Sequence, residues 1–478
     1  MHAAFLTQVT VRSSTNNFSR TAAFIIGALG FSCVLQAANP FLPSHEYIPD
    51  GEPRVYGERL YLYGSHDKAG SERFCDTILK VWSAPLDDLN TWTDHGVVLT
   101  TRDVPGRADD IPYSDYEFYA PEMVYANGKY HLFAQVLGAP CSVAVSDSPA
   151  GPFRILSRIK APEGAPPDFG GWSQYFDPGV LVDDDGKVYL YWGGGRSYMA
   201  QLDPRTMVDV LPDTLQLDII PTESPFEYQE GPSPRKIGST YYLVYARGLD
   251  LAYATSDKPT GPFTYRGAIV SQRDGAHGGN IHGGLAKING RWYIFYHRQT
   301  NNTVYSRRAC VEPVTILPDG TIPAVEQTSL GFEESLDPYR WTPADIACVF
   351  RGGSYVTELD KRTHPVMGNK HGCVVGYKYF AFGDTTLATQ ATTLTLQLRT
   401  RDTAGQISIW LGDPELGGEQ LGSVTVDTMA TPDSSWHEIT IPVRNITGRH
   451  AVFLTFSSDQ SDTPIVDVRS FVFTRDTL

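Results

Sequence analysis

Large apolar and aromatic residues alternate with polar ones along most of this chain, in short runs that each leave a glycine-bearing turn. Five segments share that form: "VYGERLYLYGS" (55–65), "VYANGKYHLFA" (124–134), "VDDDGKVYLYW" (182–192), "KIGSTYYLVYA" (236–246) and "KINGRWYIFYH" (287–297). In each, a turn containing Gly57, Gly128, Gly186, Gly238 or Gly290 joins an incoming strand to a strand with a period of two. Helical spacing is nearly absent. A second repeat agrees in phase, since "AVSDSPAGPFR" (144–154) matches "ATSDKPTGPFT" (254–264), and "VWSAPLDDLNTW" (81–92) holds the equivalent place earlier. A period that settles near ~50 residues, all strand and turn, predicts one four-stranded sheet per repeat and so a five-bladed β-propeller over residues 39–328.

Beyond "PVTILPDGTI" (313–322) the pattern changes. Alternating runs such as "TTLTLQLRT" (392–400), "GQISIWLG" (405–412), "WHEITIPV" (436–443) and "HAVFLTFSS" (450–458) predict a β-sandwich of jelly-roll type over 340–478. The whole is an all-β chain of two domains, in keeping with 478 residues. At the other end, Arg12 and Arg20 precede the apolar run "TAAFIIGALGFSCVLQAA" (21–38), which ends in small residues before Asn39 and Pro40. This is a signal-peptide pattern over residues 1–38, with an uncleaved anchor as the alternative, and it predicts a secreted or periplasmic protein with no membrane span in the mature chain.

Composition narrows the partners. A formal charge of −15 disfavours nucleic acid and anionic membrane surfaces and suits a protein that handles neutral ligands. Of six cysteines, Cys33 falls in the leader; no CxxC or Cys/His cluster points to zinc, and Cys348 with Cys373 is the pair one C-terminal domain could bridge.

The candidate chemistry lies just upstream of each turn glycine, where Asp50, Glu122, Asp177, Glu230 and His282 recur in one phase of the repeat. The strand entering each hairpin of a propeller is innermost, so these side chains should converge on one axial funnel. Acids gathered there repel one another and lose solvent, which pushes their pKa values apart and leaves one carboxyl protonated and another ionised. Hydrolysis of a glycosidic bond requires that pair. Nearby aromatics (Tyr116, Phe118, Tyr119, Trp172, Tyr175, Phe176, Phe226 and Tyr228) offer flat faces for the C–H surfaces of a sugar. Each acid alone also reads as turn or strand-start chemistry; Glu52, in "PDGEP", is a rival to Asp50.

Taken together, "IPDGEPRVYGERLYLYGSHD", "YAPEMVYANGKYHLF", "YFDPGVLVDDDGKVYLYWGG", "EGPSPRKIGSTYYLVYA" and "IHGGLAKINGRWYIFYHR" resemble the five blade signatures of glycoside hydrolase family 43. The resemblance implies an inverting hydrolase that needs no cofactor and acts on oligo- or polysaccharides. By position, Asp50 matches the general base, Asp177 the acid that orients and tunes the proton donor, and Glu230 the general acid. It further implies that Glu122, Tyr119, Trp172 and Tyr175 line the substrate pocket. His282 would lie at the funnel floor, beside a structural calcium ion or an ordered water, as an indirect or single ligand of the metal. Arg298 would approach the tuning acid. The C-terminal part resembles family 6 carbohydrate-binding modules, with Tyr377, Tyr379 and Phe380 as candidate sugar platforms. An α-L-arabinofuranosidase or β-xylosidase is the first expectation and a β-galactofuranosidase or β-1,3-galactosidase the next. A retaining fructosyl hydrolase-like propeller and a non-catalytic sugar-binding propeller are the alternatives from other classes.

Overall fold

The computed structural model describes residues 38–102, 104–165, 169, 175–273, 279–383, 391–427 and 435–475; of the expected leader, only residue 38 falls among them. The repeats form five sheets. Glu52–Tyr56, Arg59–Tyr63, Ile78–Pro85 and Thr93–Thr100 make blade 1, and Phe118–Ala126, Lys129–Val136, Ser142–Ser146 and Arg154–Arg158 make blade 2. Blade 3 is Gly179–Val182, Val188–Trp192, Tyr198–Leu202 and Gln216–Leu217, and blade 4 is Glu230–Ile237, Thr240–Arg247, Asp250–Ser256 and Thr264–Ser271. Blade 5 has Leu285–Ile288, Arg291–Gln299 and Arg307–Val314. Every blade is an antiparallel meander, as the short glycine turns require.

Apolar packing between the sheets closes these blades into a ring. Leu79 and Val81 of blade 1 meet Phe118 and Met123 of blade 2. Phe133 and Val143 meet Val180 and Trp192 across the next gap, and Tyr191 and Met199 meet Leu243 and Ala252 across the third. Val244 and Tyr253 pack on Ile294 and Cys310, and Phe295 and Val311 of blade 5 return to Leu60, Leu62 and Trp82 of blade 1. Each buried aromatic or branched side chain in these seams contributes on the order of 2–3 kcal/mol against exposure. The ring is also latched by the segment ahead of blade 1, which runs beside the outer strand of blade 5. Phe41 N donates to Ala309 O at 3.2 Å, and Asn39 bonds both Val311 N and Val311 O through its side chain, at 2.9 and 2.7 Å.

The C-terminal residues form two facing antiparallel sheets. One orders Tyr355–Val356, Val366–Asn369, Val466–Arg475, Ala391–Thr400 and His437–Pro442, with Thr342–Pro343 beside Val466–Arg475. The other orders Val349–Arg351, Val374–Ala381, Arg449–Ser457, Gly405–Leu411 and Glu419–Val426. The inward positions of Ala391–Thr400 (Leu394, Leu396 and Leu398) and of Arg449–Ser457 (Val452, Leu454 and Phe456) fill the space between them. Cys348 and Cys373 are not bridged: both thiols are buried and free, and Cys373 Sγ donates to Gly352 O at 3.1 Å.

Propeller and sandwich belong to one compact unit. The connecting segment lies along the sandwich edge, with Ser329 N on Lys378 O at 2.7 Å, Leu336 N on Tyr379 O at 2.8 Å and Ala381 N on Leu336 O at 3.0 Å. Among the described residues no helix is long and apolar enough to cross a membrane.

Candidate active site

The inner strands of blades 1, 3 and 4 deliver Asp50, Asp177 and Glu230 to one end of the ring axis. There a pocket of about 350 Å³ is lined by Asp50, Phe74, Tyr119, Phe176, Asp177, Gln229, Glu230, Gly279, Asn280 and Arg307. Asp50 and Asp177 both take left-handed backbone conformations, φ 57° and 48°. Aspartate tolerates that region better than most residues, and at the start of an inner strand it turns the carboxyl into the pocket rather than along the sheet. Beside Glu230, Gly231 has φ 66°, and a Cβ there would lie 2.9 Å from the His282 ring, so only glycine lets the fourth and fifth blades approach this closely.

Asp50 is buried at 4% exposure and fully engaged. Its Oδ1 accepts from Arg307 Nη1 at 2.9 Å and its Oδ2 from Ser65 Oγ at 2.7 Å. Ser65 Oγ in turn accepts from Ala120 N at 2.8 Å. His297 Nδ1 accepts from the Asp50 backbone N–H at 3.2 Å, and its Nε2 meets Asn280 O at 3.1 Å. Those partners define a neutral ring protonated on Nε2, in line with burial lowering its pKa. Burial alone would raise the Asp50 pKa, but the Arg307 guanidinium holds it well below the usual carboxylate range.

Asp177 is tuned the other way. Burial, then the charges of Glu230 and Asp50, push it well above the ordinary value, with Arg307 the opposing influence. Glu230 Oε1 accepts from Asn280 Nδ2 at 2.9 Å. The pocket therefore presents an ionised carboxylate on one side and a carboxyl that keeps its proton on the other, the separation that acid–base cleavage demands.

The expected lining residues divide. Tyr119 and Phe176 form an aromatic wall, with ring centroids 5.8 Å apart, and Phe74 completes it. Tyr175 does not line the pocket. Its φ of 73° turns the ring into the seam of blades 2 and 3, 5.0 Å from Trp192, where its hydroxyl has no partner among the described residues. Trp172 lies outside the described residues. Glu122 is completely buried below the pocket rather than on its wall, where it accepts from Arg54 Nη2 at 2.5 Å and from Met123 N at 2.6 Å, while burial pushes its pKa up to about 7. The rival base Glu52 belongs to the same buried cluster, bonded to Arg235 Nη2 at 2.6 Å. His282 sits between the acids, with Nδ1 3.7 Å from Asp177 Oδ2 and 3.9 Å from Asp50 Oδ1.

Arg298 does not reach the tuning acid; its Nε donates to Cys310 Sγ at 3.0 Å. The register explains the difference. Arg298 pairs with Arg308 and Gln299 with Arg307, so a one-residue step on the two strands decides which arginine turns toward the axis. Arg307 is the residue that does, and its Nε and Nη2 also grip Asp67, each at 2.9 Å. Neither Arg307 nor Asp67 was singled out by the pattern of the sequence. The one available signal was a charged pair, Arg307-Arg308, opening a strand whose next three residues, Ala309, Cys310 and Val311, are apolar.

A calcium ion at the axis would need six to eight oxygen ligands. The carboxylate oxygens of Asp50 near His282 are taken by Arg307 and Ser65, and no cluster of three His, Cys, Asp or Glu suited to a metal occurs among the described residues. The residues present do not supply such a shell. In the sandwich, the three aromatics expected to stack on sugar are not a platform. Tyr377 and Phe380 are buried in the core against Phe471, and Tyr379 is bonded to Glu326 and covered by Arg449 at 4.2 Å.

A five-bladed propeller with an axial pocket of three carboxylates and an aromatic wall defines a glycosidase. The chain belongs to the glycosyl hydrolases family 43, whose profile matches residues 37–322, and residues 347–475 match the family 6 carbohydrate-binding module. It is 39% identical over 345 residues to a xylosidase/arabinosidase of Thermoclostridium stercorarium, spanning 66% of this chain and 72% of the relative. It is 25% identical to an arabinoxylan arabinofuranohydrolase of Paenibacillus polymyxa, over 92% of this chain and 75% of that one. A solved family 43 arabinoxylan arabinofuranohydrolase from Bacillus subtilis shares the fold across both domains, with a TM-score of 0.52 at 23% identity, covering 93% of this chain and all of the other. The chain is accordingly a glycoside hydrolase.

Proposed function

We propose that this enzyme removes terminal or side-chain pentoses from arabinoxylan-type polysaccharides with inversion at the anomeric carbon, as an α-L-arabinofuranosidase or β-xylosidase. The observation that carries the reading is the contrast between Asp50, held ionised by Arg307, and Asp177, which keeps its proton in the same pocket. The names of the relatives support the pentose. In the reaction, Asp50 takes a proton from a water whose oxygen bonds the anomeric carbon. The bond from that carbon to the leaving oxygen breaks, and Glu230 gives the leaving oxygen a proton. Asp177 holds the donor in place and shares its proton, Asn280 fixes Glu230 by its amide, and Phe74, Tyr119 and Phe176 cover the sugar. Solvent then resets both carboxyls.

Proton NMR of the first product from nitrophenyl arabinofuranoside, xyloside and galactofuranoside tests this. The inverted anomer is expected, from one of the two pentosides. Net retention would overturn the mechanism, and indifference of turnover to both Asp50→Asn and Glu230→Gln would overturn catalysis at this pocket. The leader pattern over residues 1–38 supports export, and the family 6 match supports a carbohydrate-binding role for the sandwich. N-terminal sequencing of secreted protein, beginning at or near Asn39, checks the former. Pull-down of the intact chain on insoluble xylan checks the latter.

A further inference from the structure

We infer that the C-terminal sandwich is a working part of the catalytic site, with Glu358 as a positioning residue for the base; this rests on the assignment of Asp50 as the proposed base. The contacts form one chain. Glu358, just past the sandwich strand Tyr355–Val356, accepts from Tyr47 Oη at 3.1 Å across the domain boundary. Tyr47 is 1% exposed and lies three residues ahead of Asp50. Its carbonyl accepts from Asp67 N at 2.8 Å, and Asp67 holds the guanidinium of Arg307, which holds Asp50.

The same strand also fixes the pocket's rim. Val356 N donates to Thr300 O at 2.9 Å, and Asn301 Nδ2 donates to Tyr47 Oη at 3.2 Å. Thr300 and Asn301 open the loop that carries Tyr305, whose ring meets the pocket residue Phe74 edge-on at 4.8 Å. Arg308 packs over the Tyr47 ring at 5.1 Å and faces Asp345 of the sandwich. A merely tethered sugar-binding module has no need of a buried tyrosine hub, because a flexible linker would suffice. Here the hub joins the domain boundary to the base through four successive polar contacts.

The groups that face Asp50 are Arg307, His297, His282, Asp177 and Ser65, with Asp67 behind Arg307. Loosening Tyr47 shifts Asp67, so it weakens the Arg307 contact while leaving the other groups in place. The experiment compares the full-length chain with Glu358→Ala and Glu358→Gln, the latter keeping an oxygen acceptor for Tyr47. Expected for Glu358→Ala is a kcat lower by about three- to tenfold with KM nearly unchanged, and an acid limb of the pH–kcat/KM profile displaced upward. Glu358→Gln should restore most of both. Hydrogen exchange gives a readout independent of turnover: amides of the 45–67 and 300–308 segments should exchange faster in Glu358→Ala and near the wild-type rate in Glu358→Gln. Unchanged exchange and an unchanged acid limb in Glu358→Ala would overturn the inference. A wild-type chain inactive on every glycoside would instead overturn the catalytic assignment, and the exchange comparison would still decide the brace.

Discussion

Arg307 and Arg308 are neighbours on one strand of blade 5 and serve opposite sides of it. Arg307 Nη1 lies 2.9 Å from Asp50 Oδ1 in the pocket, whereas Arg308 Nη1 lies 3.5 Å from Asp345 Oδ2 of the sandwich. Strand alternation makes this unavoidable, and it places the electrostatic support of the base one residue from the domain contact.

Arg307→Lys tests that support. Lysine brings one charged point where arginine brings a planar fork, so it cannot hold Asp67 by two nitrogens while reaching Asp50 with a third. The expected outcome is a kcat/KM lower by about two orders of magnitude, with the acid limb of the profile moved up as the Asp50 carboxylate loses its counter-charge. Initial rates across pH 3–8 check both.

Asp177→Asn should separate stability from activity. A carboxyl whose folded pKa is raised costs stability as pH climbs past its unfolded value, because the unfolded chain releases a proton that the folded one keeps. Asparagine removes that cost. Denaturant unfolding at pH 7 should show the variant more stable by about 1–2 kcal/mol, the usual scale of an active-site trade-off, with turnover nearly abolished. A destabilised variant would contradict the electrostatic account of this corner of the pocket.

The architecture was legible because it is written locally. Each hairpin carries its own glycine turn and period-two strand, so five copies declare five blades, and the shared phase of Asp50, Asp177 and Glu230 points them at one axis. What the sequence hid depends on single steps. Tyr175 and Phe176 are adjacent aromatics, and the left-handed turn at Tyr175 decides that one ring fills a seam while the other walls the pocket. Arg298 and Arg307 are both strand arginines of blade 5, and register alone chooses between them. Tyr377 and Phe380 occupy a strand whose inward side is known only once the two sheets are paired. The contact between Tyr47 and Glu358 joins residues 311 positions apart and leaves no periodic trace.

The latch that closes the ring makes its own prediction. Asn39 is fully buried and satisfies the N–H and C=O of Val311 on the open edge of blade 5, as well as touching Glu312 at 3.0 Å. Asn39→Ala leaves those backbone groups buried without partners, a loss of about 2–4 kcal/mol. A lower thermal midpoint with an unchanged KM would match this, since the site lies at the other strands' entry.

Glu312 supplies a prediction in pH. Its Oε1 accepts from Thr328 N at 2.7 Å, Asn39 Nδ2 at 3.0 Å and Tyr296 Oη at 3.1 Å, and its Oε2 accepts from Thr328 Oγ1 at 2.8 Å. Burial pushes its pKa from 4.5 up to about 7, with the bonds from Thr328 and the Arg298 charge pulling the other way. Because the folded value is raised, the contribution is favourable below about pH 4.5, declines as pH rises, and is a net cost above about pH 7. In Glu312→Gln the amide oxygen can replace Oε1 and the amide nitrogen can donate to Thr328 Oγ1, so the contacts survive without a titrating group. Relative to that variant, the wild type should lose about 2–3 kcal/mol of unfolding free energy between pH 5 and pH 8, measured by denaturant titration at each pH. Parallel curves for the two proteins would mean that Glu312 is ionised throughout and that its donors outweigh its burial.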